Sequence, residues 1–209
     1  MLTNTHSKWI WSLALLIFAA GCGGYKAADD EDIVARSGEI VGVLVNDKGK
    51  SQPDSTIQLF STSGTEAIVS VTGIDSDGRF GIFPADSGVY NVVGIMGDLD
   101  KAIAQNLTFN AGDAMNIGTM QTKKVAGLTV YVKTPEAISP EGILVEVLGY
   151  SASAVTVTEG LGAIATGIPA GTYSVRFSKS GLTTQVVDNV VLAAGEVTVL
   201  ENVTMTAAE

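Results

Sequence analysis

The 209-residue sequence predicts an all-β protein: two tandem β-sandwiches, each of about seven strands, behind a short N-terminal address segment. Three observations lead there. From residue 39 onward, runs rich in Val, Ile, Thr, Tyr and Phe alternate with Gly, Asp, Asn and Pro, the pattern of half-buried strands joined by turns. No stretch beyond residue 38 sustains a long 3.6-residue apolar period. Finally, "PADSGVYNVV" at 84–93 is answered by "PAGTYSVRF" at 169–177, with 22 positions from Tyr90 to Gly112 and again 22 from Tyr173 to Gly195. "NAGDAMNIGTM" (110–120) and "AAGEVTVLENVTM" (193–205) extend the correspondence, so one unit occurs twice.

The chain opens with His6 and Lys8, then runs apolar from Trp9 to Ala20 with only Ser12 intervening. A bilayer-crossing helix needs about 20 apolar residues, so this run is short for a span. A positive start, a short apolar run and small residues after it describe a secretion signal. The small residues lead into the single cysteine: Ala19, Ala20, Gly21, Cys22. This resembles the lipobox of bacterial lipoproteins, with Ala19 where leucine is commoner. The resemblance implies cleavage before Cys22, lipidation of its thiol and acylation of the new amino terminus. The residues alone also allow an ordinary signal or an uncleaved anchor. On the lipoprotein reading, residues 1–21 are a signal peptide, and both tryptophans and the only histidine leave with it. Removing Lys8 leaves 11 basic against 22 acidic residues, a formal charge of −11.

Residues 22–37 follow as a tether, where Gly-Gly precedes the acidic run Asp29, Asp30, Glu31, Asp32. Such a stretch is a solvated spacer or, in an outer-membrane lipoprotein, a surface-export signal.

The first module is expected over 38–122. Its strands read as "EIVGVLVN" (39–46), "STIQLFS" (55–61), "EAIVSVTG" (66–73), "RFGIF" (79–83) and "VYNVVGIM" (89–96). "DLDKAIAQ" (98–105) accommodates one short turn of helix at most. In "DSDG", Gly78 supplies a positive φ while Asp75 and Asp77 bond the turn's own amides. Asp75 and Asp77, with Asp47 and Asp54 nearby, are also weak calcium candidates, but a calcium loop needs six or more oxygens and usually a distal Glu. Tyr90 begins a strand with its ring packed and its hydroxyl at the rim. Ile40, Leu44, Ile57, Leu59, Phe80, Ile82 and Val92 form the expected core.

"VNDKGKSQPDSTIQLF" (45–60), "TGIDSDGRFGI" (72–82) and "SGVYNVVGI" (87–95) together resemble the carboxypeptidase regulatory-like domain, a transthyretin-like, Ig-like sandwich. The resemblance covers 38–121. It implies a fold and a module type; in that family the domain contributes no zinc ligands.

After the join "QTKKVAG" (121–127), the second module is expected over 123–209. Its "IPAGTYSVRFSKSGL" (168–182) also resembles the PEGA module: Pro169 fixes φ, Gly171 closes the turn and Tyr173 starts a strand. The D-x-D-G is gone, with "TEGLGAI" (158–164) in its place. Leu128, Val130, Val145, Val147, Ile168, Val175 and Val199 are the expected core, each module closing its own interior. "GYSASAVTV" (149–157) reads as an exposed edge strand or an ordinary one.

A mature chain without histidine excludes Ser-His-Asp and Cys-His catalysis and lacks the usual zinc and copper ligands. The Gly-rich pieces lack the P-loop pattern. Most acids lie in turns or the tether rather than facing a cleft, so no enzyme, metal or cofactor is expected. The acidic balance disfavours nucleic acid. The expectation is a lipid-anchored protein of the bacterial envelope, at the outer membrane, contacting the membrane through lipid. It binds a protein or glycan partner or acts as a spacer; the alternative is an accessory subunit of an uptake or adhesion assembly engaged by β-strand addition.

Overall fold

The computed structural model describes residues 33–208; the signal, Cys22 and most of the tether lie outside them. The first module comprises β1 (Glu39–Val45), β2 (Thr56–Ser61), β3 (Ala67–Thr72), β4 (Arg79–Ile82), β5 (Gly88–Ile95), β6 (Asp100–Phe109) and β7 (Ala114–Gln121). The two-residue β8 (Lys123–Lys124) lies at the join and pairs with β6. The second module comprises β9 (Ala126–Lys133), β10 (Leu144–Val147), β11 (Ala152–Val155), β12 (Leu161–Ile168), β13 (Gly171–Ser178), β14 (Gln185–Leu192) and β15 (Val197–Thr204).

The sheets run β4-β1-β7 and β3-β2-β5-β6-β8 in the first module, β12-β9-β15 and β11-β10-β13-β14 in the second. Adding eight to each of the first seven strand numbers reproduces the second module, so the repeat seen in the sequence is a repeat of topology. In both, the first and last strands pair in parallel and the other pairings are antiparallel. Among the described residues no helix is long and apolar enough to cross a membrane.

The expected core residues of β1, β2, β4 and β5, namely Ile40, Leu44, Ile57, Leu59, Phe80, Ile82 and Val92, lie in one buried cluster. Leu128, Val130, Val145, Val147, Ile168 and Val175 are buried in a second.

Three expectations fail. First, residues 100–109 are a strand, not a helical turn. Long-range pairing with β5 overrides a locally weak β signal, and small Ala102 reaches the core. Second, Val199 is 49% exposed. It stands opposite half-buried Thr129, while Leu200 stands opposite buried Val130. A bulge with Asn202 at φ 61° then turns Val203 inward.

Third, the first module closes an interior from its own residues alone, but the second does not. Phe60 and Val93 point away from the first core and are completely buried within the second cluster, with Ile95 and Ile103 packed alongside. The sheet carrying β2, β5 and β6 is therefore covered on both faces, which is why β5 shows an unbroken buried run from Tyr90 to Gly94.

Candidate functional site

At each module's "Tyr" turn the same geometry recurs. Tyr90 donates its hydroxyl to the Asp86 carbonyl at 2.8 Å, and Tyr173 donates to the Pro169 carbonyl at 2.7 Å. Each bond closes over four residues, so the tyrosine ties the incoming turn to the strand it begins, as in the tyrosine corner of Ig-type sandwiches. The equivalence pairs Gly88 with Gly171. Burial of Tyr173 raises its pKa above the ordinary tyrosine value, and nearby Tyr150 adds in the same direction.

The "DSDG" corner is held by its own atoms. Asp75 Oδ1 accepts the amides of Asp77 at 2.9 Å and Arg79 at 2.7 Å, and Gly78 sits at φ 82°. A Cβ at Gly78 would lie 2.3 Å from the Leu44 carbonyl oxygen. The second module retains the corner without the carboxylate. Gly160 has φ 76°, and a Cβ there would lie 2.1 Å from the Val132 carbonyl oxygen. The hydrogen bonds match too: Gly78 N to Asp75 O corresponds to Gly160 N to Val157 O. No three His, Cys, Asp or Glu side chains among the described residues are grouped to hold a metal ion.

The structure draws together a different set of residues, at the junction between modules. Phe60 meets Tyr150 in a tilted ring contact with centroids 5.6 Å apart. Around this apolar centre, polar groups of the two modules are paired. Buried Asn91 donates to the Gly149 carbonyl at 3.1 Å and accepts the Asn106 amide at 3.0 Å. Gly149 in turn donates its amide to the Gly64 carbonyl at 2.7 Å. Only glycine fits there: φ is 81° and a Cβ would lie 2.2 Å from Asn91 Nδ2. Lys101 Nζ donates to both the Tyr150 hydroxyl and the Gly167 carbonyl at 2.7 Å, 5.3 Å from the Tyr150 ring centroid.

Gln105 completes the seam. On the β10 side of β13, the ladder ends where Leu148 N meets Ser174 O. One step on, the Gln105 side-chain amide donates to the Thr172 carbonyl at 2.7 Å and accepts its N–H at 3.1 Å. A side chain from one module thus replaces the missing strand neighbour in the other.

Beside this seam lies an open groove of about 510 Å³, within the size range of ligand clefts. Among its lining residues, Asn91, Gln105 and Thr172 already take part in bonds across the seam. Thr62, Asn106, Asp188 and Asn189 line it as well. Asn106 and Asn189 occupy equivalent bulges of β6 and β14, at φ 57° and 59° and each 16 positions after its module's tyrosine. Ser174 donates to Asp188 Oδ1 at 2.5 Å.

Of the residues singled out in the sequence, Asp75, Asp77 and Gly78 lie at one corner, Tyr90, Pro169, Gly171 and Tyr173 at the two tyrosine turns, and Cys22 outside the described residues. Only Tyr173 lines the junction groove. Asn91, Lys101, Gln105, Gly149 and Tyr150 carried no signal as a group. The signal that was present is the matched Tyr-to-Asn spacing in both copies.

No family model and no curated protein matches the chain. Among solved structures, it is similar to a mutant type II cohesin–X-dockerin complex from Acetivibrio cellulolyticus at 28% identity, covering 39% of this chain and 58% of that one, with a TM-score of 0.34. The minor pilin GBS52 of Streptococcus agalactiae is 11% identical, covering 83% of this chain and 97% of that one, with a TM-score of 0.37. A streptococcal ancillary pilin is also 11% identical, covering 83% and 63%, with a TM-score of 0.40. These TM-scores carry no conclusion about function, which rests on the chain's own residues.

Proposed function

We propose that this chain is a non-catalytic lipoprotein of the bacterial envelope whose two sandwich modules act as one stiff unit, holding a binding surface for a protein or glycan away from the membrane. The observation that carries the reading is the junction. Linked modules move relative to one another unless their interface is large and apolar. Here Phe60 and Val93 are buried in the neighbouring module's core, and Asn91, Lys101 and Gln105 are each bonded across the seam. Such a joint transmits position rather than absorbing it, which suits a spacer or presenting module. The anchor belongs to the lipobox-like Ala19–Cys22 stretch.

The test is to extract the protein from intact envelopes in mild detergent after crosslinking. A reproducible protein or glycan crosslinked to the described modules is expected. Recovery of the chain alone under saturating crosslinker, or turnover of a substrate by the purified chain, would overturn the reading.

A second reading has its own observation. β11 is the outermost strand of its sheet; its last residue Val155 is 58% exposed and Val157, just beyond it, 56%. An edge strand with exposed valines can accept an added strand, which fits an accessory subunit of an uptake or adhesion assembly. Crosslinks concentrated on 152–157 would select this reading.

A further inference from the structure

We infer that the groove at the module junction binds a neutral, hydroxyl-rich ligand: an uncharged carbohydrate, held between Asn106 and Asn189. The inference rests on the binding-module reading and assigns its ligand class.

Both asparagines stand in left-handed bulges. Asparagine is favoured there for its backbone alone, and this accounts for the residue type. It does not account for where the side chains end up. The junction brings two equivalent positions, from different modules, onto one groove. Neither side-chain amide has a hydrogen-bond partner among the described residues, whereas the neighbouring Asn91 and Gln105 each bond through both nitrogen and oxygen. Each free amide offers an acceptor oxygen and two donor hydrogens. Sugar hydroxyls, which both donate and accept, match that set.

The remaining lining sets the charge preference. Asp188 is the one ionisable acid on the groove, with Oδ1 already accepting from Ser174 and Oδ2 left to accept a hydroxyl. No lysine or arginine lines it, so a phosphate, sulfate or uronate would meet a carboxylate with no compensating cation. Leu148 is the one aliphatic side chain present, which leaves an apolar peptide side chain little to pack against. The fixed seam keeps the two asparagine-bearing strands at a constant separation, so the site is formed before a ligand arrives.

The experiment is a glycan array carrying neutral oligosaccharides beside sialylated, sulfated and uronate-bearing ones, probed with the detergent-solubilised full chain. Neutral glycans should bind and acidic ones should not. Asn106→Gly and Asn189→Gly keep the left-handed bulge while removing the amide. Each should weaken binding about tenfold, the loss expected for one or two hydrogen bonds, with an unchanged β spectrum and melting temperature. Absence of any neutral glycan above background, equal binding of acidic glycans, or unchanged binding by both glycine variants would overturn the inference. Absence of glycan binding, with a protein partner that still crosslinks to wild type and to both variants, would remove the sugar site while leaving the binding-module reading standing.

Discussion

Replacing Phe60 with alanine separates a shared core from two independent ones by magnitude. On a free-standing first module, Phe60 would lie on the solvent face of its sheet, opposite Asn91, and its loss would cost under about 0.5 kcal/mol. In the structure it is completely buried against the second module and contacts the Tyr150 ring. Truncating a buried phenylalanine costs about 3–5 kcal/mol. For a unit of this size that lowers the melting temperature by about 6–20 °C. Urea and thermal unfolding followed by far-UV circular dichroism should show one transition in the wild type and a large shift of it in Phe60→Ala. Gly149→Ala checks the same seam without a cavity, because its new methyl group would collide with Asn91. Two resolved transitions in the wild type, or a Phe60→Ala loss under about 0.5 kcal/mol, would refute the shared core. Residues 38–121 expressed alone would expose Phe60, Val93, Ile95 and Ile103, so reduced solubility and stability are expected of that fragment.

Further tests address the corners, the buried phenol and the anchor. Gly49→Ala, at φ 72° with open space around it, should cost about 1–2 kcal/mol from backbone conformation alone. Gly78→Ala and Gly160→Ala add a collision with a carbonyl oxygen, and their urea midpoints should fall clearly further; equal losses at all three would mean the corner packing is misjudged. Tyr173 ionises near pH 10 in the unfolded chain, whereas burial makes the folded protein hold its proton to higher pH. This group therefore leaves stability unchanged below about pH 10 and lowers it above, by up to about 1.4 kcal/mol per pH unit. Tyr173→Phe should flatten the alkaline loss of stability, and an identical slope in both proteins would count against the buried phenol. Cys22→Ala should release the protein from membrane fractions, and unchanged sedimentation with membranes would remove the lipid anchor.

The parts of this fold that were legible in the sequence are those fixed within a single module. A period of two, punctuated by turn residues, identifies which side of β2 and β4 faces a core. The matched spacing from tyrosine to glycine identifies the repeat. The corner at 158–160 is hard to read from sequence because the aspartates that mark its counterpart at 75–78 are absent. The constraint is the glycine, since any Cβ at Gly78 or Gly160 would meet a carbonyl oxygen. Val199 was ambiguous because "VTVLENV" places apolar residues at both parities, and only pairing with β9 decides which face turns inward. The junction depends on residues contributed by both modules, and no local period records that. Its one trace is "VYNVVGI", where Asn91, Val92 and Val93 are consecutive and all buried. A strand with adjacent buried residues has both faces covered, and the asparagine among them must find polar partners on the far side. Asn91 finds them in Gly149 and Asn106. The same asparagine that disguises the two-sided burial also connects the seam to the bulge on which the candidate sugar site stands.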